Sequence, residues 1–175
     1  MINLKKNYTI SIKLLIFLIL LIGCSSKEKD SATVVLNDIQ IYKTGLSSLE
    51  NENYKKAIIE FDNLSLNHPF SSLAKKSDIM TAYSLYQNNE IKKSISKLKI
   101  FIEMNPNDEF SDYAHYLLAM CYYIQVSNQG RDPSLSIKAL NSFMLIITKY
   151  PNSKYAKDSK LKIQYIKNSL ANNEL

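Results

Sequence analysis

Tyr54-x-x-Ala57-Ile58-x-x-Phe61-x-x-Leu64, closed by Pro69, is the stretch on which the fold turns, because the chain writes it twice more. Ile91-x-x-Ser94-Ile95-x-x-Leu98-x-x-Phe101 ends in Pro106, and Ser136-x-x-Ala139-Leu140-x-x-Phe143-x-x-Ile146 ends in Pro151. Apolar residues spaced by three and four build one buried helical face, and proline closes each helix because it cannot continue one. In every copy the small residue lies twelve positions before the proline. Another helical segment precedes the first copy, over Val34 to Leu49, where Val35, Ile39, Tyr42, Leu46 and Leu49 share a face. A polar break at Glu50 to Asn53 separates the two.

The closing prolines are 106 minus 69, or 37, and 151 minus 106, or 45, residues apart. A tetratricopeptide repeat has a period of about 34 residues, so the second gap implies a loop of several residues at Val126 to Ser134. Two antiparallel helices that approach closely need small side chains at the seam. Gly45, Ala82 and Ala119 supply them on the first helices, and Ala57, Ser94 and Ala139 on the second. One pair cannot bury its own apolar face, so pairs stack. The expected architecture is an all-α tetratricopeptide-repeat solenoid over 34–175, with about three repeats and one extra helix. Pro69-x-Ser71-x-x-Ala74 and Pro151-x-Ser153-x-x-Ala156 share a pattern in which Ser71 and Ser153 are expected to cap the following helices.

Toward the N-terminus, Lys5, Lys6 and Lys13 precede an apolar run from Leu14 to Ile22, and Leu21-Ile22-Gly23-Cys24 closes it. This is the layout of a bacterial lipoprotein signal over 1–23. The run is shorter than the roughly 20 residues that span a bilayer. The mature chain is expected to begin at a lipidated Cys24, on which two or more acyl chains anchor it stably. Ser25 after the cysteine, where sorting to the inner membrane uses Asp, gives the periplasmic face of the outer membrane as the address. Residues 24–33 are polar, of mixed charge, and expected to act as a flexible tether.

Removal of the signal lowers the net charge from +6 by 3, to +3, and no clustered basic face suits a nucleic-acid backbone. With three glycines, at positions 23, 45 and 130, no glycine-rich phosphate loop is available. Cys121 is the thiol left after lipidation, within the apolar run Leu117 to Ile124, and reads as a small buried side chain. His68 and His115 have no partnered nucleophile at recognisable spacing, and no metal-ligand cluster is present. No catalytic residue, metal or cofactor is expected.

Several segments together resemble the BamD (ComL) family of lipoproteins from the outer-membrane β-barrel assembly machinery. They are Pro69-Phe70-Ser71, Asp112-Tyr113-Ala114 with Tyr116-Leu117, and Arg131-Asp132 with Ala139 and Phe143. Tyr150-Pro151-Asn152-Ser153-Lys154-Tyr155-Ala156-Lys157-Asp158 continues the likeness, and Asn168, Leu170, Ala171 and Glu174 follow. The resemblance covers nearly all of the chain after the signal. It implies a component of the assembly (BAM) complex that binds unfolded outer-membrane proteins, a BamA-like barrel subunit and other BAM lipoproteins. Family members usually carry five repeats, and the C-terminal ones are implied in docking BamA. Here the helix Lys154 to Leu170 is expected to lack a partner, leaving Leu161, Tyr165 and Ile166 partly exposed, and the missing repeats put that docking in doubt.

Binding is expected on the face lined by the first helices: Tyr42, Leu46 and Leu49, then Ile79, Tyr83 and Tyr86, then Tyr113, Tyr116, Met120 and Tyr123. Tyrosines give large contact areas at low entropy cost, and their hydroxyls can meet a peptide backbone. Lys75, Lys76 and Arg131 could add polar contacts. A structural envelope scaffold that links cell-wall or division proteins is the alternative function.

Overall fold

The computed structural model describes residues 29–128 and 133–173, and among them finds seven helices and no strand. These are α1 (Lys29–Glu50), α2 (Tyr54–Asn67), α3 (Ala74–Gln87), α4 (Ile91–Met104), α5 (Ser111–Asn128), α6 (Pro133–Lys149) and α7 (Ala156–Asn173). Short turns force consecutive helices to reverse, so α1/α2, α3/α4 and α5/α6 are the three expected pairs and α7 is the extra helix. The signal and Cys24 lie outside the described residues. α1 already begins at Lys29, inside the stretch 24–33 expected to be a tether, as a start rich in Asp and Ser allows. The repeat unit itself begins at Asn37.

The repeated motif is the core. Phe61, Leu98 and Phe143 occupy one motif position and all are fully buried, as are Ala57, Ser94 and Ala139. Leu64, Phe101 and Ile146, one turn further on, are buried with them. Each large side chain so buried contributes roughly 1.5–3 kcal/mol relative to leaving it in water. The core falls into three clusters along the chain. Tyr42, Ala57, Phe61, Leu64 and Ala74 form one, Ile79, Leu98, Phe101, Leu117 and Cys121 belong to the next, and Ala119, Phe143 and Ile166 to the last.

Close approach explains the small residues. A Cβ on Gly45 would lie 2.6 Å from the Phe61 ring. In the second repeat the Ser94 hydroxyl donates to the Ala82 carbonyl at 2.8 Å, which makes the two small positions touch.

The turns within the first two pairs have the same geometry. The Asn53 amide donates to the Ser48 carbonyl (2.8 Å) and the Glu52 amide to Leu49 (2.9 Å), while Glu90 and Asn89 repeat this onto Leu85 and Tyr86. Glu52 (φ 55°) and Asn89 (φ 61°) hold the left-handed position that this helix ending requires. Neither is glycine.

Three expectations need correction. Ser71 and Ser153 act before the helices rather than as their caps: each hydroxyl accepts the amide two residues on, Leu73 and Tyr155, at 3.2 Å. The N-cap position of α3 is Leu73, which makes no side-chain cap bond. Asp108 accepts the Phe110 amide at 3.1 Å, so the middle connection, between α4 and α5, uses Pro-x-Asp where the other two use Pro-x-Ser. The loop expected at Val126 to Ser134 is shorter, because α5 continues to Asn128 and α6 opens on Pro133, a residue suited to a first helical turn. On α7, Leu161 and Tyr165 are exposed as expected, but Ile166 is buried (2 %) beside Ile163, because it lies three positions further along the face turned to α6.

Candidate functional site

The ten expected groove residues divide by depth. Tyr42 and Ile79 belong to the core, where Tyr42 packs on Phe61 with ring centroids 5.4 Å apart. Leu46 and Leu49 are half-buried against the same cluster. The correction has a geometric cause: Tyr42 and Ile79 lie three residues before Gly45 and Ala82, so they share the helix side that faces the seam.

Tyr83, Tyr86, Tyr113, Tyr116, Met120 and Tyr123 are half-buried on α3 and α5, the first three packed against the middle core cluster and the last three against the C-terminal one. The Tyr83 hydroxyl accepts from Gln87 Nε2 at 2.6 Å. Tyr116 stacks on Tyr155 of the turn before α7, at 4.7 Å and 19°, and its hydroxyl donates to Asp158 Oδ2 at 2.8 Å. Tyr113 reaches the same Tyr155 at 5.3 Å, and Tyr123 meets Tyr165 edge-on at 6.2 Å. Burial, then neighbouring phenols, push the Tyr113 phenol well above its ordinary value; for Tyr116 burial leads and the Asp158 hydrogen bond follows. These hydroxyls remain neutral donors at any ordinary pH.

Tyr155 and Tyr165 complete this surface and were not among the expected residues. Tyr155 had a signal in the sequence, since it takes the place of Leu73 in the repeated Pro-x-Ser-x-x-Ala stretch.

A hollow of about 660 Å³ belongs to the second helices; on the first-helix side a hollow of about 550 Å³ lies between α3, α5 and the start of α7. Met80, Phe110, Tyr113 and Tyr155 line the latter, with Lys76 and Lys154 among its edges. Lys76 Nζ lies 5.3 Å from the Tyr42 ring centroid and Lys154 Nζ 5.1 Å from that of Tyr155. An aromatic floor with cationic edges suits an extended peptide that carries aromatic side chains or carboxylates. Lys75 is engaged elsewhere, by Asp108 at 3.0 Å, and Arg131 lies outside the described residues.

His68 Nδ1 sits 2.9 Å from Asp38, and His115 packs on Tyr150, where burial and then Lys149 hold its imidazole below the usual range. Burial pushes the Cys121 thiol up to about 11. Among the described residues no group of His, Cys, Asp or Glu could hold a metal ion, and no helix is long and apolar enough to cross a membrane.

A family model described as outer membrane lipoprotein (YfiO) matches residues 36–175. The chain belongs to this family. It is 36% identical over 162 residues to the outer membrane protein assembly factor BamD of Rickettsia prowazekii (strain Madrid E), covering 93% of this chain and 64% of that protein. It is 32% identical over 156 residues to the protein of the same name in Caulobacter vibrioides, covering 87% and 51% respectively. A third relative, BamD of Vibrio cholerae, is 26% identical over 174 residues. The chain thus spans between about half and two thirds of the first two relatives' length. The matched residues contain every helix pair except the first seven residues of α1, and the half-buried tyrosines lie inside them.

Proposed function

We propose that the chain is a component of the outer-membrane β-barrel assembly machinery, anchored through lipid on Cys24 at the periplasmic face, and that it binds unfolded outer-membrane protein precursors. The family and the relatives named as assembly factors support the machinery. The observation that carries the binding role is the row of half-buried tyrosines on α3 and α5, joined by Tyr155 and Tyr165. A precursor strand that alternates apolar side chains and ends in an aromatic one can lie along such a row, with backbone groups meeting phenol hydroxyls. Its role is binding rather than catalysis. The BamA-like barrel subunit and the other lipoproteins of the complex are its partners.

The test combines a pull-down with position-specific cross-linking. The full chain, tagged after Leu175, is recovered from detergent-solubilised native membranes and its companions identified by mass spectrometry. A photoreactive side chain at Met80, at the edge of the 550 Å³ hollow, reports what occupies the face. Recovery of the BamA-like subunit and cross-links to newly made barrel precursors are expected. Recovery of cell-wall or division proteins in their place, with no precursor cross-link, overturns the reading.

A further inference from the structure

The second helices carry a site of different chemistry. The 660 Å³ hollow lies between α2 and α4, with Ile58, Leu66 and Ile100 on its walls and Thr81 and Leu85 of α3 among its lining. Leu66 and Ile100 are 67 % and 57 % exposed and, with Ile58 and Leu85, put apolar side chains along this one hollow. The buried Thr81 hydroxyl has no hydrogen-bond partner.

Charge is distributed along this groove. Lys55 opens α2, and Lys92 and Lys93 open α4, so the cations gather at the helices' N-terminal end and the apolar residues Leu66 and Ile100 at the other. Neither helix has an acidic residue in its first turn, so the positive ends of both helix dipoles add to the lysines. Lys97 is already held by Asp62 at 2.6 Å and Asp78 at 3.1 Å, and Lys93 by Glu90. Among the described residues neither Lys55 nor Lys92 has a carboxylate within ion-pair distance, although Lys55, after Lys93 and Asn88, is near enough to Glu90 to help hold its carboxyl below the usual range. Four lining lysines against Asp62, Glu90 and the Asp78 that also holds Lys97 leave the groove net positive, at +1.

We propose that this groove docks an acidic amphipathic segment of a partner protein, with carboxylates at Lys55 and Lys92 and apolar side chains over Leu66, Leu85 and Ile100. From Lys55 to Leu66 the wall is eleven helical steps, about 16 Å at 1.5 Å per residue, which matches a partner helix of about three turns laid in a groove. The polarity of the groove fixes its direction: the acidic end lies over the N-termini of α2 and α4. This site is separate from the tyrosine face and does not depend on what that face binds.

The experiment places a photoreactive side chain at Ser96, an exposed lining residue, in the full lipidated chain in native membranes, and maps the cross-linked residues by mass spectrometry. The expected result is a protein segment with Asp or Glu at one end and Leu, Ile or Met at the other. Its yield falls about tenfold in the double variant Lys55→Glu/Lys92→Glu and is unchanged by Lys43→Glu on α1. Circular dichroism of the purified variants checks that the helices persist. Cross-links confined to lipid, to a second copy of this chain or to segments without carboxylates overturn the proposal. So does the absence of any cross-link, or a yield indifferent to charge reversal.

Discussion

Replacing Gly45 by alanine adds a methyl group 2.6 Å from Phe61 Cε1, 2.7 Å from Cζ and 2.9 Å from Cδ1. Ordinary carbon contacts lie at about 3.5–4.0 Å, so the ring or the helix must retreat by about 1 Å. Phe61 is fully buried and cannot swing into solvent. Overpacking of this kind costs ~1–3 kcal/mol. Against it stands the helix preference for alanine over glycine, about 1 kcal/mol. The net expectation is a loss of about 1 kcal/mol, with α1 and α2 pushed apart. In a chain carrying Phe61→Leu the ring atoms are gone, so Gly45→Ala should there become stabilising by up to about 1 kcal/mol. Urea unfolding of Cys24→Ser chains, followed by far-ultraviolet circular dichroism, measures both effects. With a slope of about 1–3 kcal/mol per molar urea, the single substitution lowers the midpoint by ~0.3–1 M. If Gly45→Ala stabilises the chain whose Phe61 is intact, the close approach of α1 and α2 is not what selects glycine.

Glu52→Gly is expected to stabilise by roughly 0.5–1 kcal/mol, because Glu52 is exposed at φ 55° and glycine removes the left-handed strain; an unchanged urea midpoint would contradict this. Cys121, whose thiol burial pushes up to about 11, should be inert to iodoacetamide at pH 8 in the folded Cys24→Ser chain and react once urea unfolds it, as peptide mass shifts will report. For Asp108, burial alone would raise the carboxyl, but the Phe110 amide and then Lys75 outweigh it and hold the group below its ordinary value. A depressed folded pKa gives stability that is present above the unfolded value of about 3.9 and lost as pH falls through the folded one. Asp108→Asn should therefore cost about 0.5 kcal/mol at pH 7, little because Lys75 is 60 % exposed, and the difference from the parent should close as pH falls from the unfolded value through the lower folded one in parallel urea titrations.

The repeat was legible because one physical requirement, a small residue at each seam, fixes residue type at a fixed distance from a helix-ending proline. Ala57, Ser94 and Ala139 were found on that basis and all are fully buried. The same counting failed at Tyr42 and Ile79. A residue three before the seam position shares its side of the helix, so large side chains there are drawn into the core. Tyr116, at the same offset in the third repeat, stays half-exposed because its hydroxyl reaches Asp158 on α7, a partner 42 residues away that no local pattern reveals. The left-handed turns were missed because Glu52 and Asn89 fill positions at which glycine would have been the signal. Asp108 escaped because aspartate replaces serine in the middle connection, between α4 and α5, keeping the acceptor and changing the letter.

The two proposed faces differ in chemistry, and ionic strength should distinguish them. On α3 and α5 the phenols are held in place, Tyr83 by Gln87, Tyr116 by Asp158 and by its stack on Tyr155, so a ligand that lies on them loses little side-chain freedom there. Contact area and neutral hydrogen bonds then supply the affinity, and these respond weakly to salt. In the α2/α4 groove, Lys55 and Lys92 are exposed, and their attraction to carboxylates is screened once the Debye length shrinks from about 10 Å at 0.1 M salt to about 3 Å at 1 M. Raising salt during cross-linking should therefore empty the Ser96 position while sparing Met80. Equal loss at both positions would mean that charge governs the tyrosine face as well, and Lys76 and Lys154 would then be its principal contacts.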